Sequence, residues 1–310
     1  MREYLIGTGG WAYFQVPGVN SLTAYSKVFN FVEVNSTFYH IPSLDEVGKW
    51  RRLVPPDFQF SVRAHRSIAH IYEFQPVQQA IETLGKMRKI CQVLKANILH
   101  FQVPRSLRLN RTSVKDLRLL LCSTDLGDVR VALELRQERD KMMPPELLKI
   151  MQDMNIVHCV DLSKGEEPAY ESDLLYTRLF GKGMHNIYQP TDGELVEINR
   201  MASGSKSQKV AMSFHFVRMY KDAVRLKQYK QTGKFPMITR STGISSLGEV
   251  LREDAEFPTT KQQLIRKQGW KLFDMTETLR IHAEEALQKL PEGTYNNLDE
   301  VTDKLEHITK

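Results

Sequence analysis

The chain has 310 residues, 41% hydrophobic and 26% charged, with a formal net charge of +6 at pH 7. This is the composition of a soluble globular protein; no apolar run nears the roughly 20 residues a membrane span needs, and no apolar leader precedes the first strand, so a cytoplasmic location without membrane contact is expected. The basic excess favours an anionic partner, a small molecule or a nucleic acid. Cys91, Cys122 and Cys159 are odd in number, far apart and set among apolar residues. They make neither a disulfide framework nor a C-x-x-C metal motif and are expected to be core thiols.

From the amino end the pattern is strand, then helix, repeated. Residues 4–8 alternate as a strand, and Leu22, Tyr25, Val28 and Phe29 stripe the helix after it. The second strand starts at Phe31, sets Glu33 and Asn35 on one face and Val32 and Val34 on the other, and runs into the aromatic loop Thr37-Phe38-Tyr39. Ser43-x-x-Glu46 reads as a capping box for the next helix. Strand three covers 58–63, and Leu84, Met87, Cys91 and Leu94 belong to a long helix behind it. Strands follow at 98–103, 129–136, 156–161, 174–180 and 210–215, separated by helical stripes except between the sixth and seventh, where the helix is poorly defined.

Eight strands with intervening helices predict a parallel α/β sheet closed as a (β/α)8 TIM-type barrel over residues 1–235. A doubly wound open sheet is the alternative, but Gly7-Thr8-Gly9-Gly10-Trp11 lacks the dinucleotide-binding spacing. Residues 236–257 read as a linker and 258–310 as a small all-helical domain. Its helices are expected to start near Thr260, at a capping box Asp274-x-x-Glu277, and along the stripe Leu298, Val301, Leu305 and Ile308.

Strand parity predicts which side chains meet inside. If the apolar sets face the helices, the opposite set converges on the carboxyl-end mouth: Glu33, Asn35, Ser61, Arg63, Gln102, Glu134, Arg136, Asp161, Arg178, Ser213 and His215. Core packing asks for none of these, whereas an active site at that face does. Glu33, Glu134 and Asp161 are the candidate catalytic carboxylates, and Arg63, Arg136 and Arg178 suit a bidentate grip on a phosphate or carboxylate. The alternative is an ion-pair network in which the arginines neutralise the carboxylates one for one. Trp11, Tyr13, Phe38 and Tyr39 serve either to stack a ligand or to pack as a lid. His65, His70 and His215, with the three carboxylates, supply donors a divalent metal accepts, though without H-x-x-x-H spacing. No cofactor is identified beyond that metal.

The stretches Gly7-Thr8-Gly9-Gly10-Trp11, Val32-Glu33-Val34-Asn35-Ser36-Thr37-Phe38-Tyr39, Phe101-Gln102-Val103-Pro104, Leu133-Glu134-Leu135-Arg136 and Tyr176-Thr177-Arg178 make residues 4–235 resemble the YecE-like family, domain of unknown function 72. The resemblance implies a (β/α)8 barrel. Gly9 stands where that family usually has serine, Arg63 where it has lysine, Phe180 where it has histidine, and His215-Phe216 where it has an asparagine pair. The expected function is an enzyme of hydrolase or phosphodiesterase type acting on a phosphorylated or other anionic substrate, including a nucleic-acid phosphodiester. A non-catalytic polyanion-binding protein is the alternative. Trp11, Asn35, Tyr39, Arg63, His70, Gln102, Arg136, Arg178 and His215 are the expected substrate contacts.

Overall fold

The structure is a computed structural model and describes residues 2–136 and 143–309. It divides into two units, one of residues 1–179 with 201–215, the other of 180–200 with 216–310. In the first unit eight strands form one sheet: β1 Glu3–Thr8, β2 Phe31–Val34, β3 Gln59–Arg63, β4 Ile98–Val103, β5 Arg130–Leu135, β6 Val157–Cys159, β7 Leu174–Leu179 and β8 Lys209–Phe214. Every neighbouring pair is parallel, in the order β6-β5-β4-β3-β2-β1-β8-β7. The ring closes between β6 and β7 through the bridge of Val160 to Thr177, where Arg178 N donates to Val160 O at 3.1 Å. All eight expected strands are present, and the barrel is the predicted one.

Helices α1 Ser21–Ser26, α2 Leu44–Arg52, α3 Gln78–Leu94, α4 Arg111–Cys122 and α5 Pro145–Asp153 follow β1 to β5. Asn20 caps α1, and Ser43 Oγ accepts from Glu46 N at 3.2 Å, the first half of the capping box read in the sequence. Between β6 and β7 only a 3-10 turn, Leu162–Lys164, forms, which is why no helical stripe was legible there. The outward residues Val32, Val34, Phe60, Val62, Leu99, Phe101, Leu133, Val210 and Met212 are buried, as parity requires. Inside, Leu5, Phe31, Ile98, Ala132, Val157, Leu174, Tyr176 and Ala211 pack one cluster, with Cys159 among them. Apolar side chains fill much of the barrel axis, and most of the inward polar groups gather towards the carboxyl ends above them. Cys122 is exposed rather than in the core, because it ends α4 on the solvent side.

The second unit carries most of α6 Asp192–Gly204, with α7 Met219–Thr232, α8 Gly243–Arg252, α9 Lys261–Gln268, α10 Ala283–Leu287 and α11 Leu298–Thr309. Two short antiparallel pairs join them, β9 Thr259–Thr260 with β12 Thr294–Tyr295, and β10 Leu272–Asp274 with β11 Arg280–His282. The span 236–257, expected as linker, contains α8, whose Leu247, Val250 and Leu251 share one apolar cluster with Leu264, Phe273, Leu287, Val301 and Leu305. A helix built into a core cannot act as a tether. Asp274 opens no helix: it ends β10, and its Oδ2 accepts from Ile238 N and Thr239 N, both at 2.8 Å.

This unit also buries charge. Arg225 contacts Asp222 Oδ1 at 2.9 Å and Asp192 Oδ1 at 2.6 Å, and Arg280 contacts Asp192 Oδ2 at 2.7 Å. Gln189 Nε2 donates to Asp222 Oδ1 at 3.3 Å, while Asp222 Oδ2 has no hydrogen-bond partner among the described residues. Also among them, no helix is long and apolar enough to cross a membrane.

Candidate functional site

Parallel register places the polar residues of successive strands level with one another at the carboxyl ends. Glu33 pairs with Ser61, Gln102 with Glu134, Glu134 with Cys159, and Arg178 with Ser213. At the centre sits Arg178, 2% exposed, which bonds both expected glutamates. Its Nε lies 2.9 Å from Glu33 Oε2 and its Nη2 3.0 Å from Glu33 Oε1, a bidentate fork, while Nη1 reaches Glu134 Oε2. Tyr176 donates its hydroxyl to Glu33 Oε2 and shares a 3.0 Å contact with Ser61 Oγ. His215 Nε2 lies 3.4 Å from Glu33 Oε1 and 3.0 Å from Ser213 Oγ. Burial drives the Glu33 pKa upward, but Arg178 and then His215 outweigh it, and the carboxylate stays well below its ordinary range. Burial, reinforced by Arg178, pushes His215 down to about 4, so its ring is neutral at pH 7.

Glu134 is the carboxylate nearer solvent, 12% exposed. Its Oε1 accepts from Gln102 Nε2 at 3.1 Å and from Arg136 Nε at 2.8 Å, and its Oε2 lies 3.1 Å from His100 Nε2. Here too burial pushes the pKa up and Arg178, then His100, pull it well below the usual value. Arg63 avoids both carboxylates. It donates to Gln102 Oε1 at 2.6 Å and Asn35 Oδ1 at 3.1 Å, and its guanidinium lies 3.6 Å over the Phe38 ring. Asn35 in turn donates to Gly9 O at 2.9 Å. Burial, then repulsion from Arg178, lowers Arg63 to about 10.

The rim above is aromatic and basic. Tyr39 is 68% exposed beside Phe38, and Trp11 packs edge-on to Trp50 at 5.3 Å. His70 is exposed and stands edge-on to Phe38 at 5.2 Å. Partial burial and then the charges of Arg63, Arg136 and Arg66 hold its pKa below the ordinary value. His65 bonds Ser67 Oγ at 2.8 Å.

Of the expected site residues, Glu33, Asn35, Arg63, Gln102, Glu134, Arg136, Arg178 and His215 form one connected network. Asp161 serves the turn after β6: its Oδ1 accepts from Ser163 N at 3.0 Å, and Lys164 Nζ lies 3.3 Å from its Oδ2, so it caps that turn. Arg178 is buried between two carboxylates. Three members went unread in the sequence: His100, Tyr176 and Cys159, each two residues before a predicted inward residue and therefore of the same parity.

The model of the family described as "Protein of unknown function DUF72" matches residues 5–235. UPF0759 protein YunF of Bacillus subtilis (strain 168) is 26% identical over 211 residues, 61% of this chain and 74% of that one. A 53-residue stretch is 38% identical to UPF0759 protein YecE of Escherichia coli (strain K12), spanning 17% of this chain and 20% of YecE. Among solved structures, a DUF72 family protein from Enterococcus faecalis V583 superposes with a TM-score of 0.60 at 16% identity, covering 74% of this chain and 98% of that one. One from Thermotoga maritima MSB8 gives 0.58 at 20% identity, covering 74% and 99%. These likenesses support the barrel.

Proposed function

The chain belongs to the DUF72 family, and on that barrel we propose an enzyme that binds a phosphorylated or other anionic substrate at the carboxyl-end mouth and cleaves it by proton-transfer chemistry of hydrolase type. The observation that carries this reading is the charge at the rim. Arg63, Arg66 and Arg136 all lower the pKa of His70, and among the described residues only Arg136 of these directly contacts a carboxylate, Glu134. A positive, partly desolvated rim attracts an anion and holds it through charge-assisted hydrogen bonds.

The residues then divide into two roles. Glu33, Arg178 and Tyr176 are enclosed and act as positioning residues that fix Glu134. Arg136 and Arg63 hold the anion, Tyr39 and Trp11 flank it, and His70, neutral at pH 7 and open to solvent, carries the proton. Glu134 supplies the fixed negative charge that orients the reacting hydroxyl or water. A screen of phosphoesters, sugar phosphates and single- and double-stranded nucleic acids, with and without divalent metal, tests it. Turnover is expected to fall at least about 100-fold in His70→Asn and in Glu134→Gln. Absence of turnover on every anion, or unchanged turnover in both variants, overturns the proposal.

One observation favours a second reading. Both oxygens of Glu33 and of Glu134 already have partners, as in a network kept for structure. The protein then binds a polyanion without chemistry, and affinity must fall steeply with salt through counterion release.

A further inference from the structure

Below the rim, His100 on β4, Glu134 on β5 and Cys159 on β6 face the barrel interior from three adjacent strands. Glu134 is level with Cys159, and His100 stands one inward position below Gln102, which is also level with Glu134. One ring nitrogen, one carboxylate oxygen and the sulfur all lie within 4.8 Å of one another. His100 Nε2 and Glu134 Oε2 are 3.1 Å apart, close to the roughly 3.3 Å between neighbouring ligands around a tetrahedral zinc ion.

A second observation is independent of that clustering. His100 is completely buried, yet neither ring nitrogen makes a well-aligned hydrogen bond among the described residues. A buried imidazole without partners is costly and calls for one. Its short approach to Glu134 is off the line of a hydrogen bond, the arrangement two ligands of one ion adopt.

We propose that His100, Glu134 and Cys159 bind a borderline-soft divalent transition metal, zinc or a close substitute. The mixed nitrogen, oxygen and sulfur set suits zinc better than magnesium or calcium, which take oxygen ligands. Three protein ligands leave a fourth position for water or substrate, as in catalytic rather than structural zinc sites. Gln102 Nε2 on Oε1 and Arg178 Nη1 on Oε2 supply the outer hydrogen bonds that a ligating carboxylate commonly receives. The exposed edge of Glu134 gives the ion its way in. Cys159 enters as a thiol and binds as a thiolate, so loading releases one proton to solvent for each ion bound.

The site does not depend on anion binding at the rim, and its test uses no substrate. The tag-free full chain, stripped with a chelator, is titrated with zinc chloride by calorimetry in buffers of different ionisation enthalpy, and the loaded protein is examined by zinc X-ray absorption. One equivalent, about one proton released, and a shell holding one sulfur among nitrogen and oxygen ligands are expected. Cys159→Ser should weaken zinc at least about tenfold, while Cys122→Ser changes nothing. If Cys159→Ser fails to fold, the absorption shell of the unaltered chain decides alone. No stoichiometric zinc, a shell without sulfur, or unchanged affinity in a folded Cys159→Ser overturns the site.

Discussion

At the barrel mouth Glu33 meets three side chains, Arg178, Tyr176 and His215, and both its oxygens are occupied; in the C-terminal unit Asp222, equally buried, meets Arg225 and Gln189 at one oxygen and leaves the other unbonded. Burial is the largest influence at both and disfavours the charge at both. At Glu33 the bidentate fork outweighs it and the carboxylate stays ionised; at Asp222 burial prevails over Arg225, and the pKa rises to about 6. The difference lies in partners per oxygen, since an ion pair offsets desolvation only when the remaining lone pairs are satisfied too. A saturated network fixes its charge across the physiological range, while an unsaturated one titrates within reach of it.

The largest expected effect comes from breaking the saturated network. Arg178→Ala leaves Glu33 as an unpaired carboxylate inside the barrel and removes one partner from Glu134. It should destabilise the protein by about 3 to 5 kcal/mol, the cost of breaking a buried pair from one side. Urea unfolding at pH 7 measures it, and a loss below about 1 kcal/mol would show that water reaches Glu33 after all.

Next is the pH dependence of Asp222. Its folded pKa is raised from 3.8 to about 6, so the folded state binds the proton more tightly than the unfolded chain. That favourable contribution is complete below about pH 3.8 and is lost as pH rises through about 6, a change of about 3 kcal/mol. Glu33 and Glu134, with depressed values, have the opposite sign: their contribution is present above about pH 4.5 and is lost as pH falls through their folded values. Stability of the unaltered chain minus that of Asp222→Asn, followed from pH 4 to 7, isolates the first effect. A difference that is flat or rises with pH defeats it.

The contrast also shows what a sequence discloses. Period-two alternation is a local property, so every barrel strand could be read, and with it the inward placing of Glu33, Arg63, Glu134 and Arg178. Which guanidinium meets which carboxylate depends on register between strands distant in sequence, and Arg178 is 145 positions from Glu33. No pattern encodes that one arginine serves both glutamates while Arg63 turns to amide oxygens. His100 and Tyr176 were legible by parity but looked like ordinary strand residues. Asp161 shares the parity, yet its strand ends at Cys159 and Asp161 becomes a cap. In the C-terminal unit a helix lay inside the expected linker because Ile244, Leu247 and Leu251 stripe only ten residues, among serines and glycines that read as loop.

A smaller effect is expected where this chain departs from the pattern it resembles. A Cβ on Gly9 would stand 2.2 Å from His215 Cε1 and 2.8 Å from Asn35 Nδ2. The missing side chain at Gly9 therefore makes room for the ring that contacts Glu33. Gly9→Ser should cost about 1 to 3 kcal/mol by overpacking, and adding His215→Asn should recover much of it. Simple additivity of the two in thermal unfolding would mean that the positions are independent.

The smallest effect on stability is predicted for Arg136→Ala, and its smallness matters. Arg136 touches the same glutamate as Arg178, at 2.8 Å, but is 42% exposed against 2%. An exposed guanidinium gains little from its pair because water and salt screen it, so truncation should change stability by no more than about 1 kcal/mol. Glu134 keeps Gln102 and Arg178, and its charge should stay fixed. If Arg136 holds an anion, the same substitution should cost about 1.5 to 3 kcal/mol of binding free energy for phosphate or a phosphoester, the scale of a hydrogen bond to a charged group. Titration calorimetry with inorganic phosphate, at low and moderate salt, sets that loss beside the unfolding data. Weakened binding in a protein as stable as the parent places Arg136 in the site. Destabilisation approaching that of Arg178→Ala, with anion affinity unchanged, would put Arg136 inside the enclosed network and leave the rim without an anion-holding residue.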